Sequence, residues 1–504
     1  MVMKKRISSY GMKSKRVFIL LLAISISAVF FGCSVEQANL KDGTYMNRIP
    51  FDNAALRGET SGEPGHLLEN PIMKTADENV STFSIDVDTA SYVNFRRYIS
   101  QFSLAEFQQN NYSIRTEEAI NYFRYDYVKP DGSHPVAVGT LVGDCPWNKN
   151  AKLAVITLAA RDIDKEARKG SNIVFLIDVS GSMDSDDKLP LVKETIAMAV
   201  KNLNENDTVS IVTYASGVKT VLSGAKCSEK EKIQNAIDNL EAGGSTAGAD
   251  GLNTAYSLAA DYFIKDGNNR IILATDGDFN VGPSSIEEMK QLVTERRESG
   301  IFITVLGYGV TYNSGDKKLE VIADNGNGGF YVIDSLAEGE KVLDEQFSGS
   351  FYTVAKDVKV QVEFNKETVE SYRLIGYENR VLDNADFEND KKDAGDMGAG
   401  QTVTAMYEIT VKDNAAENLF SVKVRYKEPD ENESKLYEHQ ASVSTELNGD
   451  FHFAAAVAEA CLVINNSEYK ADASLEHAYN TAKEYCGDDV FKKQFVEILA
   501  KIKG

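Results

Sequence analysis

The stretch Asn172-Ile-Val-Phe-Leu-Ile-Asp-Val-Ser-Gly-Ser-Met183 runs from a strongly apolar segment straight into a turn that carries one carboxylate and two hydroxyls. A short unbroken apolar run bounded by turn residues reads as a strand buried on both faces, which requires a sheet covered by helices on each side. The chain supplies the rest of such a sheet. Apolar runs at Val209, Ile271 and Ile301 are each followed by amphipathic stretches, so residues 171–350 alternate strand with helix. Pro190 falls early in the helix after the first run, a position that suits its fixed φ and missing N–H. Ligands of open parallel sheets bind beyond the carboxyl ends of the strands. Asp178 falls there, and so does Asp276, at the end of the second run Arg270-Ile-Ile-Leu-Ala-Thr-Asp-Gly-Asp278. Between them lies Gly243-Gly-Ser-Thr-Ala-Gly248, a glycine loop carrying a further hydroxyl at Thr246.

These residue types fit a divalent cation by charge. Asp178 and Asp276 together cancel the +2 of Mg²⁺, while the hydroxyls of Ser180, Ser182 and Thr246 coordinate as neutral oxygens. A shell built this way keeps a position open for a carboxylate from another molecule; replacing the hydroxyls by carboxylates would over-neutralise the ion and repel an acidic guest. A single D-x-S after a strand is more often a capping turn, but here three elements stand in order. The order D-x-S-x-S, then Thr, then Asp resembles the metal-ion-dependent adhesion site of von Willebrand factor type A domains. The resemblance implies Mg²⁺ or Mn²⁺ with Ser180, Ser182 and Thr246 as direct ligands, Asp178 and Asp276 bound directly or through water, and a protein partner that presents an Asp or Glu side chain.

The flanks say where such a domain would work. Residues 1–32 carry six basic groups and no acid, and contain an apolar run over residues 17–32 that is shorter than the ~20 residues a spanning helix needs. This is the pattern of a signal peptide. It ends at Phe30-Phe-Gly-Cys33, which resembles a bacterial lipobox with bulkier residues before the glycine than is usual, and implies lipidation of Cys33. The expected location is the bacterial cell envelope, outside the cytoplasm and lipid-anchored to the membrane. Without those 32 residues the formal charge goes from −22 to −28, a surface that repels nucleic acid and draws in divalent cations. Four further cysteines, Cys145, Cys227, Cys461 and Cys486, are too few for a disulfide scaffold; their even number permits disulfides without assigning them, and Cys461 and Cys486, both in the helical C-terminal segment, are the favoured pair.

At 504 residues the chain should hold about three domains. Residues 33–80 are polar, with scattered Gly and Pro, and read as a flexible tether. Residues 81–170 read as a small αβ region: a strand over 82–88, a helix over 89–102, a helix from Thr116 capped by that residue, then alternating strands over 135–160. Period-two alternation recurs across residues 351–450, at 358–364, 402–411 and 420–426, and implies an antiparallel sandwich that the strands before the central domain could complete. Residues 451–504 turn helical. The fold class is therefore α/β, a doubly wound, mostly parallel sheet flanked by an antiparallel β-sandwich, a small αβ region and C-terminal helices. Phe83-Ser-Ile-Asp-Val-Asp-Thr-Ala-Ser-Tyr92, Asn121-Tyr-Phe123, Ala274-Thr-Asp-Gly-Asp-Phe-Asn-Val-Gly282, Arg297-Glu-Ser-Gly300 and Ala394-Gly-Asp-Met-Gly-Ala-Gly400 resemble a bacterial lipoprotein family with a central type A domain, and that resemblance covers nearly everything after the tether.

Other clusters carry blander expectations. Asp86, Asp88 and Ser91 repeat the acid-and-hydroxyl theme, but Asp88 or Thr89 capping the next helix is the simpler role. Asp184, Asp186 and Asp187 read as a solvated group near a helix N-terminus, and the acidic stretch 386–396 as a turn. Neither Gly243–Gly248 nor Gly326-Asn-Gly-Gly329 has the lysine of a phosphate loop, so no nucleotide site is expected. The five histidines are dispersed and no nucleophile elbow occurs, which argues against catalysis. A metal-dependent hydrolase would need a base such as Asp278 near the ion. A third reading is an assembly factor in an envelope complex with a membrane-associated ATPase.

Overall fold

The apolar run that ends at Asp178 forms the strand Ser171–Asp178, every residue of it buried. Its parallel neighbours are Thr208–Tyr214 on one side and Asn268–Thr275 on the other. The complete sheet runs Phe330–Ile333, Ile301–Tyr308, Asn268–Thr275, Ser171–Asp178, Thr208–Tyr214, Val218–Lys226, with only the last strand antiparallel to its neighbour. The chain builds outward from Ser171–Asp178 on one side, then crosses to the other, so the reversal point lies between the ends of Ser171–Asp178 and Asn268–Thr275. That reversal opens a crevice at the carboxyl ends of these two strands.

The computed structural model describes residues 68–163, 170–245, 248–277, 286–309, 315–345, 352–412, 418–429, 431–441 and 447–503. Both faces of the central sheet are covered, and its three central strands are buried at every residue. Ile173, Phe175, Ile177 and Ile272 pack against Val192 and Ile196 of helix Leu189–Lys201 and against Ile233 and Ile237 of helix Lys230–Asp238. Val174, Leu176, Ile271 and Leu273 face helix Gly248–Asp261 in a cluster that continues into the helices Ala90–Gln101 and Gly449–Ile464. One apolar core thus ties the central sheet to elements from both ends of the described chain.

Strands from both sides of the central domain form the sandwich. One sheet orders Met73–Lys74, Val369–Ile375, Thr402–Val411, Lys152–Ala160 and Val136–Asp144; the other orders Val381–Leu382, Val80–Ser84, Thr353–Phe364, Phe420–Lys427 and Lys435–Gln440. The alternation expected at 135–160 therefore completes the sandwich. In Phe420–Lys427 every second residue is buried, the mark of one face on a core and one toward solvent.

Several local expectations change. The tether expected to extend to residue 80 has given way to docked chain by Met73–Lys74, which pairs with Val369–Ile375, and the buried Thr75 hydroxyl donates to the Val369 carbonyl at 2.6 Å. The strand expected over 82–88 ends at Ser84, ahead of the acids. Thr116 starts its helix but does not cap it; Arg115 holds the cap position and Thr116 is buried. Cys461 and Cys486 are not paired: all four described cysteines are free thiols. Cys461 faces the helical core, while the Cys486 thiol donates to the Lys483 carbonyl at 3.4 Å. No helix among the described residues is long and apolar enough to cross a membrane. The apolar run of residues 17–32 and Cys33 lie outside the described residues.

Candidate metal centre

Strand register places the two acids. Ile177 pairs with Ala274, so Asp178 stands level with Thr275, and Asp276 is the next residue on the neighbouring strand. Both carboxylates are shielded from solvent, Asp178 at 0% exposure and the Asp276 side chain at 2%. The Ser180 N–H donates to Asp178 Oδ1 at 2.8 Å, bending the chain into the tight turn Gly181–Asp184. Met183 anchors that turn in the core beneath it. The bend brings the Ser180 and Ser182 hydroxyl oxygens to 3.0 Å from one another.

The glycine loop is laid across the same end of the sheet. Gly243 donates its N–H to the Val179 carbonyl at 2.8 Å, and Gly181 donates to the Gly244 carbonyl at 3.0 Å. Gly244 has φ +87°, and a Cβ there would stand 2.5 Å from the Ser216 hydroxyl, so the loop can approach this closely only without a side chain. Thr246, the remaining hydroxyl of the expected set, lies outside the described residues, as does Asp278. Four of the five expected donors are thus described, Asp178, Ser180 and Ser182 on one strand end and Asp276 on the next.

The electrostatics favour a cation beside Asp178. Burial pushes the Asp178 carboxyl above its usual range; hydrogen bonds from Ser180 oppose the shift and the charge of Asp276 adds to it. A divalent cation would relieve both the burial and the repulsion. Adjacent oxygens around an octahedral Mg²⁺ with bonds of ~2.0–2.1 Å sit roughly 2.9 Å apart, close to the separation of the two serine hydroxyls. The all-oxygen donor set suits a hard ion. The residues present therefore fit the group.

One residue here had little signal in the sequence. Lys188 Nζ donates to Asp276 Oδ2 at 2.9 Å and to the Ser182 carbonyl at 2.8 Å. Its only mark was being the lone base after the acidic run Asp184-Ser-Asp-Asp187. Of those acids Asp184 and Asp186 are exposed, as expected of a solvated group, but Asp187 pairs with Arg97 of the helix Ala90–Gln101 at 2.5 Å.

The other acid-and-hydroxyl cluster does different work. Arg380 donates to Asp86 at 2.9 Å and reaches Asp88 at 3.5 Å and Asp324 at 3.4 Å. Asp88 accepts the Phe330 N–H at 3.0 Å, and the Ser91 hydroxyl accepts the Arg115 N–H at 2.9 Å. The expected helix cap by Asp88 or Thr89 is absent: Thr89 occupies the cap position without a side-chain bond. Burial raises the Asp88 carboxyl, and the neighbouring Asp86 adds to the shift.

Known proteins match the chain in the same blocks. Residues 172–345 match the von Willebrand factor type A domain model, residues 63–155 match a von Willebrand factor model, and residues 349–504 match the model of the YfbK C-terminal region. YfbK of Escherichia coli K12 is 37% identical over 465 residues, covering 86% of this chain and 80% of that protein. Protein sll0103 of Synechocystis is 29% identical over 192 residues, covering 38% of this chain and 44% of its own length. Among solved structures, a von Willebrand factor type A protein from Catenulispora acidiphila aligns with 73% of this chain and 91% of its own, at 18% identity and a TM-score of 0.40.

Proposed function

This chain belongs to the bacterial von Willebrand factor type A family that includes YfbK, and from that premise we propose that it is a binding protein of the cell envelope. It holds Mg²⁺, or Mn²⁺, at the carboxyl end of its central sheet and captures a protein partner through an Asp or Glu side chain that completes the ion's shell. Ser180, Ser182 and Thr246 bind the ion directly, and Asp178 and Asp276 supply the compensating charge. The observation that carries this reading is the pair of serine hydroxyls 3.0 Å apart, beside a wholly buried Asp178. Neutral hydroxyl donors favour capture over catalysis, because they leave the ion's charge available to an incoming carboxylate. The chain is held at the membrane by a lipid on Cys33, a placement supported by its sequence context alone.

The test is a pull-down from envelope extract with the full chain as bait, run in magnesium and in excess chelator. A partner retained in magnesium, released by chelator and lost with Asp178→Ala is the expected result. A partner that stays bound in chelator refutes capture through the metal.

A further inference from the structure

Lys188 sits where a second positive charge would be unwelcome. Its ammonium lies 2.9 Å from Asp276 Oδ2, one of the two carboxylates expected to balance a divalent ion. The contact is largely screened from water, with the lysine side chain 20% and the aspartate 2% exposed. Nothing about Lys188 is left to chance. Its stem runs over Gly309, whose φ is +63° and where a Cβ would come within 2.5 Å of Lys188 Cε. The ammonium's second bond goes to the Ser182 carbonyl, on the turn that carries the two hydroxyls. The backbone is held from both sides: Lys188 N–H donates to the Ser185 carbonyl at 3.0 Å, and the preceding Asp187 accepts from the Ser185 hydroxyl at 2.7 Å and from Arg97 at 2.5 Å.

We propose that Lys188 is a tethered counter-ion of the metal site: it neutralises Asp276 while the divalent ion is away and withdraws when the ion arrives, so that it sets the affinity of the site. The inference rests on the metal-site reading above and adds regulation to it. A monovalent ammonium and a divalent cation cannot both lean on Asp276 without mutual repulsion in a poorly solvated pocket. The ion must therefore displace a charge already in place. The acids then stay compensated in the free protein, and metal binding is exchange of one cation for another. The strap from Arg97 through Asp187 fixes the loop that aims Lys188, tying metal affinity to the position of the N-terminal helix.

The experiment is calorimetric titration of full-length protein, in detergent, with Mg²⁺ and with Mn²⁺ alone, comparing wild type, Lys188→Met, Lys188→Gln and Lys188→Arg. Gln keeps a donor for the Ser182 carbonyl without the charge, and serves if the Met variant does not fold. The neutral variants should bind the ion about tenfold more tightly, and Lys188→Arg should stay within about threefold of wild type. Neutral variants that bind equally or more weakly than wild type, with wild type binding normally, make Lys188 a support for Asp276 and overturn the inference alone. Binding by a neutral variant but not by wild type supports it in its strongest form. No heat from any of the four, with the same null for Asp178→Ala, overturns the metal-site reading and this inference together.

Discussion

Asp178-Val-Ser-Gly-Ser182 and Asp86-Val-Asp-Thr-Ala-Ser91 both place carboxylates and hydroxyls at or just past the end of a strand, yet their counter-charges differ in kind. At the second, one Arg380 guanidinium is shared by Asp86, Asp88 and Asp324, with its side chain 17% exposed. A guanidinium stays charged and its planar fork fixes several acceptors at once. At the first, the counter-charge to Asp276 is a lysine ammonium, a point charge on a flexible stem. The arginine cluster is a permanent joint that clamps the sandwich loop holding Arg380 to the helix holding Asp324. The strand-end cluster has hydroxyls in place of further acids, and its counter-charge is, on the proposal above, exchangeable. Residue type alone does not separate a joint from a binding site; what answers the charge does.

The widest gap between the two regions should appear when each loses its key charge. Arg380→Met leaves three carboxylates without their shared partner, and breaking a buried pair in this way costs about 3–5 kcal/mol. Urea unfolding should show that loss with or without magnesium. A wild-type midpoint would mean that Arg380 is not a joint. Asp178→Asn should do the opposite, leaving the metal-free protein close to wild type and removing the gain from magnesium. For wild type at a hundredfold excess over Kd that gain is about 2.7 kcal/mol. An equal gain in the Asn variant would place the ion elsewhere.

Much of this was legible because it is local. The run 173–177 is apolar at every position, so it declares a doubly covered strand, and the carboxyl-end rule then places Asp178 and Asp276 side by side. Strand alternation at 358–364 and 402–411 gave away the sandwich for the same reason. What stayed hidden is long-range. Arg380 meets Asp86 across 294 positions, and Arg97 meets Asp187 across 90, and no spacing rule joins such pairs. Lys188 was hidden differently: six residues from Ser182, it reads as a solvated base among acids until the fold turns it toward Asp276.

A smaller effect sharpens the contrast through pH. Near the joint, burial and the charge of Glu117 push the Glu378 carboxyl up to about 8, and its Oε2 is buried without a hydrogen-bond partner. Because the folded value lies above the ordinary 4.5, this group's contribution to stability is complete below pH ~4.5 and is lost as pH rises through about 8. Lys341 runs the other way, since burial lowers it to about 7 and its contribution improves with pH above that value. Comparing Glu378→Gln with wild type cancels the lysine. The variant should gain about 1 kcal/mol relative to wild type between pH 5 and 6, and little between pH 8 and 9, where the loss is nearly complete. A difference that does not change with pH would mean that Glu378 ionises as freely as an exposed glutamate.

The smallest expected effect is none at all. A bridge between Cys461 and Cys486 would close a loop whose loss costs about 3 kcal/mol. Instead Cys461 is a core thiol, 1% exposed and pushed by burial well above the usual thiol range, and so a poor nucleophile for exchange. Cys486 bonds to its own helix at Lys483. Stability at the helical end therefore comes from packing of Phe453, Phe495 and the alanine face of Gly449–Ile464, which reductant does not touch. Melting with and without dithiothreitol should give the same midpoint. A drop of several degrees on reduction would restore the disulfide and require the two helices to approach differently.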